Sequence, residues 1–447
     1  MSDLAYHRAA PNKAPNTPKT LGRLHRGLAF APDQSGWAIG VLALGALLAG
    51  LAQNVLLTYS SFGGFNLMDD VCISLMFLVA LARLAHRFTV PALLSVVWIV
   101  ACLIALWRTV DESLIPGDSA FFLFRQVCMP VLVIVSGLVM TRREWRWVLF
   151  AVVAISILNT AYIALESLGI RLIDPTPFAR LSKTAIYPNG LPGYYMSFDL
   201  AGELAVRAGG LFLNPPTTGI ATGAAAVIAF HAFRSRWRNL LVLALGLATI
   251  ATISRAGILL MLIGIAGPWV ARKLHPLVAL PVLGIPVLMA GNNIADLGNS
   301  DSHVDGLTVG IEHAFESIIG RGFGYVGNFA GKAGELQEAS ESLSGIAFSA
   351  AGLVPLGIYA VALATAVRSL LRQSDRWENY LVIGALVIAM LAETAGSMNA
   401  TVPMWLLVGT AFGSSLRNSN TKDSSAPPQP RPHGQQNKPG VPNEVPL

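Results

Sequence analysis

The chain has 447 residues, of which 53% are hydrophobic and 13% charged, where soluble domains carry roughly 25% charge. A soluble multidomain enzyme is excluded, because it would lack the polar surface to cover its core, and the balance points to a polytopic membrane protein. The net charge of +6 does not indicate nucleic acid, since the Lys and Arg residues fall in small groups between apolar runs, where membrane topology places them.

Residues 1–36 are polar and rich in Pro and basic side chains. They lack the short apolar core and cleavage site of a signal peptide and are expected to form a cytoplasmic tail. Twelve apolar segments follow, centred near Leu47, Leu75, Ile99, Leu132, Ile155, Ala221, Leu245, Leu262, Leu283, Ile358, Ile388 and Leu407. At about 16–24 residues each, they can cross a hydrocarbon core of roughly 30 Å as helices. The segment near Leu283 contains Pro281 and Pro286, and that near Leu262 is short, so these two are the least regular. From Leu416 to Leu447 the chain cannot bury enough apolar surface to offset the entropy of ordering, and a disordered cytoplasmic tail is expected. The predicted fold is all-α, a polytopic membrane bundle of about 12 transmembrane helices over residues 37–415.

The cations set the orientation. With a cytoplasmic N-terminus, the inner loops 83–87, 141–146, 231–238, 271–275 and 368–376 hold 13 of the 31 Lys and Arg residues, and the two tails hold nine more. Short basic inner loops are what the positive-inside rule requires, so both termini are predicted to be cytoplasmic. The long loops, about 169–207 and 291–342, then face outward, as does a short one over about 108–120. Loops of that length are usually functional, which directs the chemistry to the outer face. No internal repeat is visible. Cys72, Cys102 and Cys128 lie in apolar runs at unrelated spacings and read as small core hydrophobes, with neither a disulfide framework nor a metal site.

Nine cations fall away from the cytoplasmic side: Arg108, Arg125, Arg171, Arg180, Lys183, Arg207, Arg255, Arg321 and Lys332. For Arg108, Arg180, Lys183 and Lys332, solvated or snorkelling side chains are reason enough. Arg207 opens RAGGLFLNPPTTG at the outer start of a helix, and Arg255 lies in ATISRAGILL, a turn between the segments near Leu245 and Leu262. A charge held at a membrane boundary between packed helices is a functional-site candidate. Guanidinium offers a fixed fork of donors for phosphate oxygens and keeps its charge. Arg207 and Arg255 therefore suggest a diphosphate clamp, with anchorage to lipid headgroups as the competing reading. Arg125, inside FFLFRQVCMP, is a third candidate at similar depth. The step Asn214-Pro215-Pro216 predicts a helix break lining a cavity, or a simple kink.

In the second outer loop, Val304, Leu307, Ile311, Ala314, Phe315 and Ile318 recur at steps of three and four. They predict the apolar stripe of an amphipathic helix lying at the membrane surface or roofing the bundle. Residues 322–327 match G-x-G-x-x-G literally, but no strand or βαβ unit surrounds them, so a flexible Gly-rich turn is expected in place of a nucleotide site. Glu341 stands where the loop re-enters the membrane. It reads either as a helix-terminal carboxylate favoured by the dipole or as a general base for an acceptor hydroxyl. His303 and His313 are further candidate bases, each equally well explained as structural or solvated. No His/Cys/Asp/Glu cluster has metal-ligand spacing, and no P-loop is present, so neither metal, cofactor nor ATP is expected.

Taken in order, these segments resemble the bacterial O-antigen ligase and polysaccharide polymerase superfamily. The resemblance rests on Arg207, Gly210, Asn214 and Pro215, then Ser254-Arg255-Ala256-Gly257, then Gly320 to Gly324, Glu341-Ser342 and Gly352-Leu353, covering about residues 200–360. It implies an all-helical membrane glycosyltransferase of the inner membrane, acting at its outer face on glycans carried by undecaprenyl diphosphate. It further implies that Arg207 and Arg255 hold that diphosphate, that no metal is used, and that a flippase and a chain-length regulator are partners. Ligases of this family carry a histidine where this chain has Glu341. The departure favours a polymerase of exopolysaccharide, capsule or O-antigen repeats over a ligase that passes finished polymer to lipid A-core. A transporter or flippase is the alternative of another class, with Asp69 and Asp70 as its best intramembrane charges.

Overall fold

A computed structural model of the chain describes residues 36–59, 67–84, 90–111, 117–177, 186–198, 204–292, 301–325 and 342–423. Fourteen helices run through these residues. The first five are α1 (Ala38–Tyr59), α2 (Met68–Leu84), α3 (Val90–Asp111), α4 (Gly117–Leu138) and α5 (Arg142–Ser167). After the first long loop come α6 (Pro215–Ala232), α7 (Arg238–Ala251), α8 (Arg255–Val270), α9 (Pro276–Asn292) and α10 (Asp301–Glu316). The last four are α11 (Leu343–Ala351), α12 (Leu353–Arg372), α13 (Trp377–Leu391) and α14 (Met398–Asp423).

Each of the twelve apolar segments coincides with one helix, and α10 and α11 are additional. Five helices are long and apolar enough to cross a membrane: α1, α3, α4, α5 and α12. The shorter apolar helices include α7, α8 and α13. Pro281 and Pro286 do not interrupt α9. Helix α14 continues past Leu416 to Asp423, beyond the predicted start of the tail; residues 1–35 and 424–447 lie outside the described residues.

One buried carboxylate organises an end of the bundle rich in basic residues. Glu144 caps its own helix reciprocally with Thr141 and also accepts the Ile39 N–H at 3.0 Å. Arg83 donates to both its oxygens, at 2.8 and 2.9 Å, so α1, α2 and α5 are tied at one point. A bidentate pair of this kind adds geometric specificity to its charge. At the same end His231 of α6 bonds the Gly264 carbonyl of α8 and stacks on Trp377 of α13 with centroids 4.9 Å apart.

Elsewhere glycines let backbones approach, as expected where lipid removes the hydrophobic drive between helices. A β-carbon on Gly409 of α14 would come 3.0 Å from Gly137 Cα of α4. The fully buried helix α11 packs on α10 in the same way: a β-carbon on Gly310 would lie 2.5 Å from Gly345 Cα.

That contact corrects the reading of α10. The buried face is Gly306, Gly310, His313 and Ala314, whereas Val304, Phe315 and Ile318 of the predicted stripe are exposed. Ala314 of the stripe is buried and Leu307 and Ile311 pack partly against the core, so the stripe holds in its middle and the glycines extend the packed face. Of the Gly-rich turn, residues 322–325 are described, and backbone hydrogen bonds hold its start. Arg321 and Gly322 donate to the Ser349 and Ala350 carbonyls, at 2.9 and 3.0 Å, and Phe323 N–H donates to Thr109 Oγ1 at 2.6 Å. Gly320, Gly322 and Gly324 all have positive φ, which only glycine adopts at little cost. Arg108 is no free snorkelling group, since its guanidinium donates to the Gly320 carbonyl at 2.6 Å.

The first long loop adds a small non-helical element to the predicted all-α fold. Strands β1 (Met196–Phe198) and β2 (Leu204–Val206) pair antiparallel with Ser197 opposite Ala205. Cys102 and Cys128 are buried, Cys72 is half-buried, and all three are free thiols.

Candidate functional site

The far end of α5, away from Glu144, builds the first wall. Asn159 and Glu166 stand seven residues apart, on one face of the helix, and both are buried. Asn159 Oδ1 accepts the Leu211 N–H at 2.8 Å, and Glu166 Oε2 accepts the Gly210 N–H at 2.6 Å. Thr218 Oγ1 donates to the Gly209 carbonyl at 2.5 Å, and Asn54 Nδ2 of α1 donates to the Phe212 carbonyl at 2.9 Å. Residues 209–212 are therefore held from three helices. The glycine pair is required here: a β-carbon on Gly209 would clash with the Tyr195 ring, and Gly210 has φ +61.

Asn214, Pro215 and Pro216 start a helix and do not break one. Asn214 is the N-cap of α6, accepting the Thr217 N–H at 3.3 Å, and the two prolines occupy the first helical positions. Those positions suit proline because their N–H groups have no partner within the helix. The same design recurs at α8, where Ser254 is the N-cap and accepts the Gly257 N–H at 3.2 Å. Each cap follows a non-glycine residue with positive φ, Leu213 at +51° and Ile253 at +47°. For a β-branched residue such as Ile253 this is a true backbone outlier, held in place by its surroundings.

The two helix starts are stitched together. Ser254 Oγ donates to the Pro216 carbonyl at 2.9 Å. A β-carbon on Gly219 would come 2.7 Å from Ser254 Oγ, and one on Gly257 would come 2.9 Å from Ile220 N. Arg255 is the first residue of α8. Arg207 is brought to the same turn by its neighbours: its own N–H donates to the Tyr195 carbonyl at 2.8 Å, and the Ala208 N–H to the Ala251 carbonyl at 3.2 Å. Both arginines are half-buried. Two paired positive helix ends, with Arg255 in the first turn of α8 and the backbone next to Arg207 held at the end of α7, favour an anion. The α6 end contributes its dipole more than its donors, because Pro215 and Pro216 have no N–H and that of Thr217 is already used.

Arg171 joins this region, with its guanidinium 5.9 Å from the Tyr195 ring centroid and 4.0 Å from Glu166 Oε1. Tyr194 and Tyr195 pack with centroids 5.5 Å apart. Burial pushes both phenols above their ordinary range, so they remain neutral at every physiological pH. The sequence reading overlooked Asn159, Glu166 and Tyr195 and did not single out Arg171. The available signal was two polar residues at helical spacing on one face of an otherwise apolar span.

Arg125 has carboxylate partners of its own. Its Nη2 pairs with Asp69 Oδ1 at 3.0 Å and its Nε with Asp70, and all three side chains are buried. One guanidinium thus serves two aspartates, and nothing places Arg125 with Arg207 and Arg255. Glu341 lies outside the described residues; its neighbour Ser342 is the N-cap of α11 and accepts the Gly345 N–H at 2.9 Å. Arg180, Lys183 and Lys332 are outside as well, as is the side chain of His303, whose backbone lies in α10. His313 is buried, with Nδ1 2.9 Å from Ser349 Oγ. Among the described residues no group of three His, Cys, Asp or Glu could hold a metal ion.

No known protein family matches this chain, and no curated sequence matches it. Its function therefore has to be argued from the site.

Proposed function

We propose that this chain is a membrane glycosyltransferase that joins undecaprenyl-diphosphate-linked repeat units into a cell-surface polysaccharide at the outer face of the bacterial inner membrane. The observation that carries this reading is the pairing of the α6 and α8 starts, with Arg255 on one and Ala208, next to Arg207, hydrogen-bonded to Ala251 just before the turn into α8. A diphosphate is the anion that two guanidiniums and two helix dipoles would hold best at a membrane boundary. The orientation follows from the basic loops at the Glu144 end, which are cytoplasmic under the positive-inside rule. Both termini are then inside and the arginine site faces out.

In the proposed step the acceptor hydroxyl oxygen attacks the anomeric carbon from the side opposite the diphosphate. The bond from that carbon to the diphosphate oxygen breaks, and the diphosphate leaves with the electron pair, inverting the centre. Arg207 and Arg255 stabilise the charge that develops on the leaving group, usually the largest contribution in such a transfer. Glu341 or His303 takes the hydroxyl proton. The flippase that supplies the donor and a chain-length regulator are the proposed partners. A ligase acting on lipid A-core would use the same clamp with a different acceptor.

Transport is the second reading, favoured by the buried Asp69–Arg125–Asp70 cluster, since ionisable groups inside a membrane protein commonly mark a pathway. One experiment separates the readings: the size profile of lipid-linked glycans in a deletion strain complemented with wild type, Arg207→Ala or Arg255→Ala. Single repeats accumulating at the outer face, with the variants at wild-type abundance, support the polymerase. Full-length polymer retained on undecaprenyl diphosphate means a ligase. Substrate stranded on the cytoplasmic leaflet, or an unchanged profile, removes both enzyme readings.

A further inference from the structure

The Asp69–Arg125–Asp70 cluster lies on helices that take no part in pairing the α6 and α8 starts, and its charges do not balance. Asp69 and Asp70 stand in the first turn of α2, and Arg125 of α4 is the one cation that pairs with them among the described residues. One negative charge is left over. The dipole at the α2 start offsets about half a charge at most. An unbalanced charge away from water is costly, so a buried site of this kind needs a counter-charge.

Unfilled acceptors surround the surplus. Asp69 Oδ2 and Asp70 Oδ1 are buried and accept no hydrogen bond, and neither do Gln53 Oε1 of α1 and Gln126 Oε1, next to Arg125 on α4. Gln53 is 2% exposed, and its direction follows from its own helix. A β-carbon on Gly45 would lie 3.3 Å from Cys72 Sγ of α2, one turn from Asp69, and a β-carbon on Gly50 would collide with the Asn399 backbone of α14. Three residues past Gly50, Gln53 falls on the face between those two contacts. It is turned toward the gap between α2 and α14, which α4 closes by packing on both.

Every one of these free atoms is an acceptor, which selects the ligand. A water would donate to some of them and leave the charge. A proton joins two oxygens at most, one by a bond and one by a hydrogen bond, and leaves the others empty. A cation that takes several oxygens at once meets both needs. It has to be monovalent, since a divalent ion would reverse the imbalance.

We propose that Asp69, Asp70 and Gln53, with Gln126 beside them, bind one alkali cation. The site is separate from the arginine site and joined to it through α1, because Asn54, the residue after Gln53, donates to the Phe212 carbonyl. Binding thus braces the far end of α1 against the segment 209–212. The proposal does not depend on the glycosyl-transfer reading, and its test reads no catalysis.

The test uses the full chain in lipid nanodiscs, melted at constant ionic strength in sodium, potassium or choline chloride, with binding of radioactive sodium and rubidium measured alongside. Sodium or potassium is expected to raise the melting temperature saturably while choline does not, and binding should saturate at one ion per chain. The more effective salt names the occupant. Asp70→Asn leaves Asp69 and Arg125 balanced, so it should bind no ion and melt in choline much as wild type does in the alkali salt. Gln53→Leu removes an oxygen that holds no other partner, so the fold survives. The midpoint of its salt response should rise by about tenfold, the low end of what a lost supporting group at a metal site costs. Identical melting in all three salts overturns the proposal, as does a response that persists in Asp70→Asn or stays in place in Gln53→Leu. Stabilisation by acid alone, with no difference between the salts, means that a proton balances the charge and overturns it as well.

Discussion

Gly257→Ala tests whether the paired helix starts are what organises the arginine site. The added β-carbon would fall inside the van der Waals envelope of the Gly219 carbonyl and 2.9 Å from Ile220 N. Comfortable separations are roughly 3.5–4.0 Å, so α6 and α8 must part by about 1 Å or more. The obstacle is backbone, and no side-chain rotation relieves it. Overpacking of this kind costs about 1–3 kcal/mol, which a bundle of this size should survive. Displacement of Arg255 relative to Arg207 should matter more, because a misplacement of about 1 Å in a reacting site can cost roughly 100-fold. Gly357→Ala is the control, since a β-carbon there meets nothing within 4 Å. The assay is polymer yield in the complemented deletion strain, normalised to protein abundance, with thermal unfolding of the purified protein in detergent alongside. Gly257→Ala is expected to fold, to unfold at a lower temperature and to make little polymer, while Gly357→Ala matches wild type. Wild-type polymer from folded Gly257→Ala would refute the idea that the spacing of these two helix starts positions the cations.

Glu166→Ala leaves the buried Gly210 N–H without its acceptor and should destabilise by about 1–3 kcal/mol. Glu166→Gln keeps an oxygen there and should retain most of that stability, so equal thermal shifts in the two variants would count against the assignment. Arg125→Ala strands two buried carboxylates and should cost about 3–5 kcal/mol. Adding Asp69→Asn and Asp70→Asn should recover part of that loss, whereas a melting temperature unaffected by Arg125→Ala would show that the cluster carries no such strain.

The membrane architecture was legible in the chain because hydropathy is local. All twelve apolar segments became helices, since a run of apolar residues must satisfy its own backbone in lipid whatever it packs against. Capping was not read from the chain: Asn214, Ser254 and Ser342 each sit one residue before a helix and accept an N–H three residues on. Asn214-Pro215-Pro216, expected to break or kink a helix, instead starts one, because the chain turns at Leu213 just before it.

Partnership is what the linear order could not convey. The stripe Val304–Ile318 pointed to Leu307, Ile311 and Ala314, which pack inward, but lipid accepts large apolar groups as readily as the core does, so periodicity did not reveal that Gly306 and Gly310 complete the packed face of α10 while Val304 and Phe315 are exposed. Arg108, Arg125, Arg207 and Arg255 look alike along the chain. Folding gives Arg125 to Asp69 and Asp70, Arg108 to the Gly320 carbonyl, and brings Arg207 beside the turn that carries Arg255. Composition and spacing alone thus pointed to a helical membrane protein. Which cations share a site was decided by contacts between residues far apart in the chain, such as Ser254 with Pro216 and Glu166 with Gly210, because a charge acquires its role from whatever packs within a few ångströms of it.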